Sequence, residues 1–444
     1  MLKRSTLFAF AAPSLPVGAI GLPLIVYLPP YYAGTLGMDL AVVGLIFFLV
    51  RLLDLPLDPL LGHLMDGTRS RFGRYRPWLV AGGFVMALGT WLVFMAAPGI
   101  SAGLAFAQLM LLYFGFSLMV VALLGWGATL SDDYHQRARV FGWFQATTIL
   151  SMVLILAIAP LAVRMAGGED ASAGIHAMGW FIILLAPLTA FYAAARLPER
   201  PHAAERQKAT FADFRALARN PLILRLLLLD VLASVAPGIT GAMFLFYFEH
   251  RLGFAAGEAS LLLLVYFLAG LAAAPLWIGL SRRIGKHKAM AAACLFYCVA
   301  HGSLGLLGSA GFWVALPAMM IAGVPYAAAP FLLRAMLADV ADADRLETGL
   351  DRNGLLQAVL TTTQKVAYAT PVALIYPLLA LIGFDPRPGA GNSDGAILGM
   401  TVLFVLPPVL LMAAAAWVVA RWRLGPGELA EVQAALAARA AAAE

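Results

Sequence analysis

Charge is the scarcest property of this 444-residue chain: Asp, Glu, Lys and Arg make up 12% of it, against 62% hydrophobic residues. A soluble globular protein averages about 25% charged and about 45–50% apolar. A chain this apolar cannot hide its surface from water, because single cores stop growing at roughly 250–300 residues. The excess has to face lipid. Cysteine is nearly absent. Cys294 and Cys298, four apart in an apolar run, exclude a disulfide framework and a cysteine metal site, and read as two small residues on one helix face. No nucleophile elbow, zincin helix or Cys–His pair occurs, which argues against an enzyme. The Gly-rich stretch 389–395 has no strand or helix N-terminus placed to hold a phosphate and reads as an external turn.

What the chain does hold is a series of long apolar runs. A spanning helix needs about 20 mainly apolar residues. Runs of that kind fall near 7–33, 38–61, 78–98, 103–130, 139–165, 176–197, 221–249, 257–281, 287–308, 311–338, 355–383 and 395–422. The first follows Met1-Leu2-Lys3-Arg4 and continues to about Tyr32, longer than the apolar core of a signal peptide, so it reads as a retained first span. The expectation is an all-α membrane protein of twelve helices: a six-helix half over 1–198, a central cytoplasmic loop over 199–220, a second six-helix half over 221–424 and a cytoplasmic tail over 425–444. Residues 211–217 of the central loop alternate at helical spacing and are expected on the membrane surface. The Ala-rich tail after Pro426, with Leu429, Val432 and Leu436 on one face, is expected to be a short helix.

The basic residues agree with this count. Lys3, Arg4, Arg69, Arg71, Arg74, Arg76, Arg137, Arg139, Arg282, Arg283, Lys286 and Lys288 fall at the N-terminus or in even-numbered loops, whereas the odd-numbered loops hold only Arg164, Arg251 and Arg387. Positive residues stay on the cytoplasmic side, so both termini are expected there, in a bacterial inner membrane. The net charge of +6 follows from this asymmetry and implies no nucleic acid. Pro59-Leu60-Leu61-Gly62 before Arg71-Phe72-Gly73-Arg74 is echoed about 210 residues later by Pro275-Leu276-Trp277-Ile278-Gly279 before Arg283-Ile284-Gly285-Lys286. Such parallel halves are the signature of the major facilitator architecture.

Ionisable residues inside a span are functional candidates by default. The densest group is Arg51, Asp54 and Asp58 in the second span, whose spacings of three and four put all three on one helix face. Two such carboxylates cannot both ionise cheaply unless a cation lies between them. That is the physics of a coupling site, and its bland counterpart is an Arg51 ion pair that only fixes packing.

The run Asp54-x-x-x-Asp58-Pro59-x-x-Gly62-x-x-x-Asp66-x-Thr68-Arg69-Ser70-Arg71-x-Gly73-Arg74-x-Arg76-Pro77-Trp78 resembles the signature of the glycoside–pentoside–hexuronide:cation symporters, a family of the major facilitator superfamily. Trp126 before Arg139, Met336-Leu337-Ala338-Asp339 through Thr348-Gly349-x-x-Arg352, and Lys365 one turn after Thr361 extend the likeness along the chain. The resemblance implies that Asp54 and Asp58, with Arg51, form the cation-coupling site. It gives Trp126, Lys365 and Thr361 to the substrate cavity, to which the aromatic, proline-rich end of the first span adds Tyr27. It makes Asp66, Arg69, Arg71, Arg74, Arg76 and Arg139 a cytoplasmic gate. The implied activity is symport of a sugar or glycoside with H⁺ or Na⁺, by a monomer, with no cofactor beyond that ion and no partner beyond the small solute and membrane lipid.

The departures bear on both ligands. Leu57 and Met119 stand where the family has neutral oxygen donors of the cation site, which favours H⁺ over Na⁺. Pro13-Ser14-Leu15-Pro16 and Ala122 stand where its sugar porters place the residues that clamp hydroxyls. An amphiphile such as a lysolipid, or an uncoupled facilitator, is therefore the alternative expectation.

Overall fold

The computed structural model describes residues 2–131, 134–167, 171–199, 217, 219–308, 311–350, 352–387 and 389–443, and among these there is no strand. The expected surface segment 211–217 lies outside the described residues apart from Leu217. Twelve helical spans follow in order. They are α1 Arg4–Thr35, α2 Leu40–Met65, α3 Arg76–Phe94, α4 Ala102–Thr129, α5 Arg139–Met165, α6 Ser172–Arg196, α7 Pro221–Arg251 and α8 Ala256–Ile284. They continue with α9 Lys286–Leu304, α10 Phe312–Thr348, α11 Asn353–Leu381 and α12 Asp394–Ala420. A tail helix, α13, covers Pro426–Ala443. Ten are long and apolar enough to cross a membrane by themselves. The other two are α9, which opens on Lys286, His287 and Lys288, and α11, where Gln357, Thr361, Thr362, Thr363, Gln364 and Lys365 dilute the apolar residues.

Lipid-facing stripes are visible directly. Along α12, Leu398, Val402, Leu406 and Leu410 are all exposed, one turn apart. Water would penalise such a stripe, whereas a bilayer solvates it. One helix clearly outruns its apolar core. The expected span 311–338 continues to Thr348, where Gly349, at φ 73°, caps the last turn in the left-handed conformation.

The helices gather into two compact units. The first holds Met1–Glu205 with Gly241–Leu264 and Val372–Met400. Here α3 packs on α4 and α6, α1 on α5, and α2 on α4. The α3–α4 crossing is so close that a Cβ on Gly115 would collide with the backbone of Met86. Without hydrophobic drive between helices in lipid, small residues let backbones pack closely. The second unit holds Arg206–Thr240, Val265–Pro371 and Thr401–Glu444. Its core joins Leu226, Leu229, Trp277, Met290, Leu332, Met336 and Val419. The tail helix lies along the end of α10, where Gln433 donates to Asp342 at 3.3 Å and Arg439 to the Leu346 carbonyl at 2.6 Å.

The α1 helix is irregular. Wide π turns at Pro23–Tyr27 and Tyr31–Thr35 flank Leu28–Pro30. Prolines 23, 29 and 30 remove N–H donors and crowd the preceding turn, so the backbone widens rather than breaks. The α7 helix ends in the same way, with a π turn over Tyr247–Arg251.

Replacing Gly115 by Ala should cost about 1–3 kcal/mol by overpacking. It should therefore lower the melting temperature of detergent-purified protein, and an unchanged temperature would mean that α3 and α4 can part without penalty.

Candidate functional site

The three charged residues of α2 sit where the helix breaks. Regular α-helix runs over Leu40–Asp54, stops at Leu55-Pro56 and resumes over Leu57–Gly67. Leu55 and Pro56 keep right-handed helical backbone angles, so α2 continues as one span with its hydrogen-bond ladder interrupted between Asp54 and Asp58. The cause is a pair of prolines. Pro56 cannot donate to Leu52, and Pro59 cannot donate to Leu55, so two rungs of the helical ladder are missing. Asp54 becomes the last residue of one segment and Asp58 enters the first turn of the next, where the positive helix end favours a carboxylate.

Asp54 is fully buried. Its Oδ2 accepts from Arg51 Nη1 at 3.4 Å and its Oδ1 from the Ser117 hydroxyl at 2.8 Å. The Arg51 guanidinium lies over the Tyr113 ring, 5.3 Å from its centre. Tyr113 and Ser117, both buried on α4, complete a polar cluster inside an apolar wall. Asp58 is half-buried, one segment further on. Neither Ser117 nor Tyr113 was singled out by sequence. Their only signal is a helical spacing of four on an otherwise apolar span.

A second cluster forms where α6 leaves its last turn. Glu199 accepts from the backbone N–H of Arg74 at 2.5 Å and of Tyr75 at 2.6 Å, and its other oxygen lies 3.9 Å from Arg76 Nε. Arg76 also donates to the Leu197 carbonyl at 2.7 Å, and its guanidinium stands 5.9 Å from the centre of the Trp126 ring. Trp126 is fully buried and donates its indole N–H to the Pro198 carbonyl at 3.1 Å. Gly73, at φ 106°, makes the tight approach possible: any Cβ there would run into the Glu199 carboxylate.

The structure therefore draws Arg74, Arg76 and Trp126 together around Glu199. Arg74 also donates to the Met65 carbonyl at 3.1 Å. Arg69 and Arg71 are exposed, Arg71 lying over the Phe72 ring, and Arg139 is exposed with Gln136 as its partner at 3.1 Å. The Asp66 side chain lies outside the described residues. Tyr27 is buried in the first unit and faces Ser260. Thr361 and Lys365 belong to the second unit. Thr361 is exposed and donates to the Gln357 carbonyl, and Lys365 is half-buried. Glu199 escaped notice because a single acid beside Arg196 and Arg200 reads as loop solvation.

In the second unit, the loop residues of the sequence pattern form ion pairs. Lys286 grips Asp339 at 2.6 and 2.8 Å, and Arg352 meets Asp344 in a two-pronged contact at 3.0 and 3.1 Å.

Residues 9–425 match the family described as MFS/sugar transport protein. The chain belongs to that family. It is accordingly a transporter and not an enzyme, and a multi-pass membrane protein. Within the superfamily it falls among the glycoside–pentoside–hexuronide symporters. It is similar to the raffinose carrier protein of Pediococcus pentosaceus (23% identical, covering 84% of this chain and 61% of that protein). It is similar too to the inner membrane symporter YicJ of Escherichia coli K12 (24%, covering 88% and 86%). The glucuronide carrier protein homolog of the same organism is 24% identical, covering 81% and 79%. The chain thus spans about three fifths of the raffinose carrier and most of the other two. The fold resembles the crystal structure of the nucleoside transporter NupG at a TM-score of 0.66 and 13% identity, over 95% of this chain and 100% of that one. It also resembles a bacterial homolog of the human lysosomal transporter Spinster, at 0.67 and 14%, over 96% and 100%. The family match and these likenesses show the major facilitator fold.

Replacing Glu199 by Ala leaves two backbone donors unpaired and should cost about 1–3 kcal/mol. The Arg74 and Tyr75 amides should then exchange hydrogen faster, while Glu199→Gln, which keeps an acceptor oxygen, should exchange at a rate between the two. Equal protection in all three proteins would show that the carboxylate does not hold this loop.

Proposed function

We propose that this protein is a proton-coupled symporter of a sugar or glycoside. The observation that carries the reading is Asp54: a carboxylate out of water, at the break of α2, held by a guanidinium and a hydroxyl. An isolated buried charge is costly, and removing or adding one proton or cation there changes the balance by several kcal/mol. A carrier that only equilibrates its solute needs no such group. Asp58 follows about one turn further on, and the Leu55 carbonyl lacks its usual i+4 donor, since Pro59 has no N–H to give. Ser117 is one oxygen donor beyond the carboxylates. Leu57 and Met119 contribute none, and a proton needs only one oxygen, whereas Na⁺ takes several. The Lys/Arg asymmetry of the loops supports cytoplasmic termini.

The sugar class is supported by relatives named for raffinose, lactose and glucuronides. The substitution of the expected clamping residues by Pro13-Ser14-Leu15-Pro16 and Ala122 makes an amphiphilic glycoside the natural second candidate.

In proteoliposomes, an inward proton gradient should drive accumulation of raffinose, lactose or a methyl glucuronide. Asp54→Asn should abolish accumulation and retain exchange. Accumulation that follows a Na⁺ gradient at fixed pH and ignores a pH gradient would refute proton coupling. Uphill uptake left intact in both Asp54→Asn and Asp58→Asn would refute the coupling site, and uptake of a lysolipid with none of the sugars would replace the substrate class.

A further inference from the structure

A cavity of about 220 Å³ lies inside the second unit, walled by Tyr266, Tyr297, Tyr326 and Tyr368 with Gln364 and Arg334. Every residue that lines it belongs to the second unit. Behind Gln364 stands Asp230 of α7, fully buried. Gln364 Nε2 donates to Asp230 Oδ1 at 3.0 Å, and Oδ2 is buried with no hydrogen-bond partner among the described residues. Two groups act on it electrostatically from the helices packed against it, Arg334 of α10 and Tyr368 of α11. Neither supplies a hydrogen bond or an ion pair to the second oxygen. The other buried carboxylates described, Asp54, Asp339 and Asp344, each have a cationic partner in contact, at Arg51, Lys286 and Arg352. Asp230 has an amide.

A side-chain amide is two-faced, and which face it offers depends on its partner. Opposite an ionised Asp230, Gln364 must donate, and its Oε1 is left to accept elsewhere. A proton on Asp230 relieves the unpaired buried oxygen and makes the carboxyl a donor. Gln364 then accepts through Oε1 and turns both N–H groups of Nε2 outward. One proton thereby exchanges one acceptor and one donor for two donors at the wall of the cavity. The rest of the wall suits a ring: tyrosine faces take the C–H side of a sugar, and Arg334 supplies fixed donors for its hydroxyls. The volume is below the roughly 300–1,000 Å³ of pockets for drug-sized ligands. It has room for one ring.

We propose that this cavity binds a single hydroxylated ring, and that a proton held between Asp230 and Gln364 sets which hydroxyl pattern it accepts. The ligand class rests on the sugar reading above, whereas the proton site does not.

The test is calorimetric titration of the purified full-length chain with galactose, glucose and methyl glucuronide, each a single ring, in two buffers of different ionisation heat and at several pH values. The wild type should bind one of them with a buffer-dependent heat that reports proton exchange. Asp54→Asn should bind with the same proton count. Asp230→Asn should bind with no proton exchange and a flat pH profile, and Gln364→Leu should bind roughly tenfold more weakly for the loss of its hydrogen bonds. If Asp230→Asn does not fold, Asp230→Glu keeps a titrating group in a shifted position and must move the pH midpoint of binding. Wild-type proton exchange and affinity in the Asp230 and Gln364 variants would overturn this site and leave the symporter reading standing. Failure of all three sugars to bind the wild type would overturn the ligand class of both.

Discussion

A carboxylate taken out of water has to be met atom by atom, and the polar interior of this protein follows from that constraint. With so few charges in an apolar chain, each buried acid is conspicuous, and each has a specific answer. Asp54 is answered by Arg51 and Ser117, Asp339 by Lys286, Asp344 by Arg352, and Asp230 by the amide of Gln364. The matched pairs at the ends of α9, α10 and α11 tie helix termini together. Asp54 and Asp230 lie one in each unit, deep within spans. An ionisable side chain inside a span is costly to bury, and each of these two is met there by specific protein groups.

The two halves of the sequence solve local problems alike. Gly73 and Gly285 both sit at positive φ, after α2 and α8 respectively, where the basic-x-Gly-basic turns fall. Leu36-Gly37 and Leu252-Gly253 close the wide turns that end α1 and α7, again with the glycine at positive φ. The echo of short motifs about 210 residues apart is therefore a repetition of backbone conformations. Any other residue would be strained at these four positions.

The spans were legible because lipid imposes a length and a composition that few other environments demand. Arg51, Asp54 and Asp58 were legible because a charge in such a run stands out against leucine. The break between the acids was written in Pro56 and Pro59, but helical spacing alone places Arg51, Asp54 and Asp58 on one face and says nothing of the missing donors. Trp126 read as a cavity residue by resemblance, and its indole N–H is committed to the Pro198 carbonyl. Glu199 was illegible because its value lies in the backbone amides of Arg74 and Tyr75, more than a hundred residues earlier. Ser117, Gln364 and Arg334 were unreadable for the same reason: a polar residue acquires meaning from its neighbour across the bundle, and no local pattern encodes that neighbour.

The wide turns of α1 and α7 carry an extra residue without leaving the helix. A π turn is an insertion that the helix has absorbed, and deleting one residue from it restores an ordinary turn at little structural expense. Length changes of a single residue should therefore be absorbed at Tyr31–Thr35 and Tyr247–Arg251, whereas the same change in α12 would rotate every later side chain by about 100° and turn its leucine stripe away from the lipid.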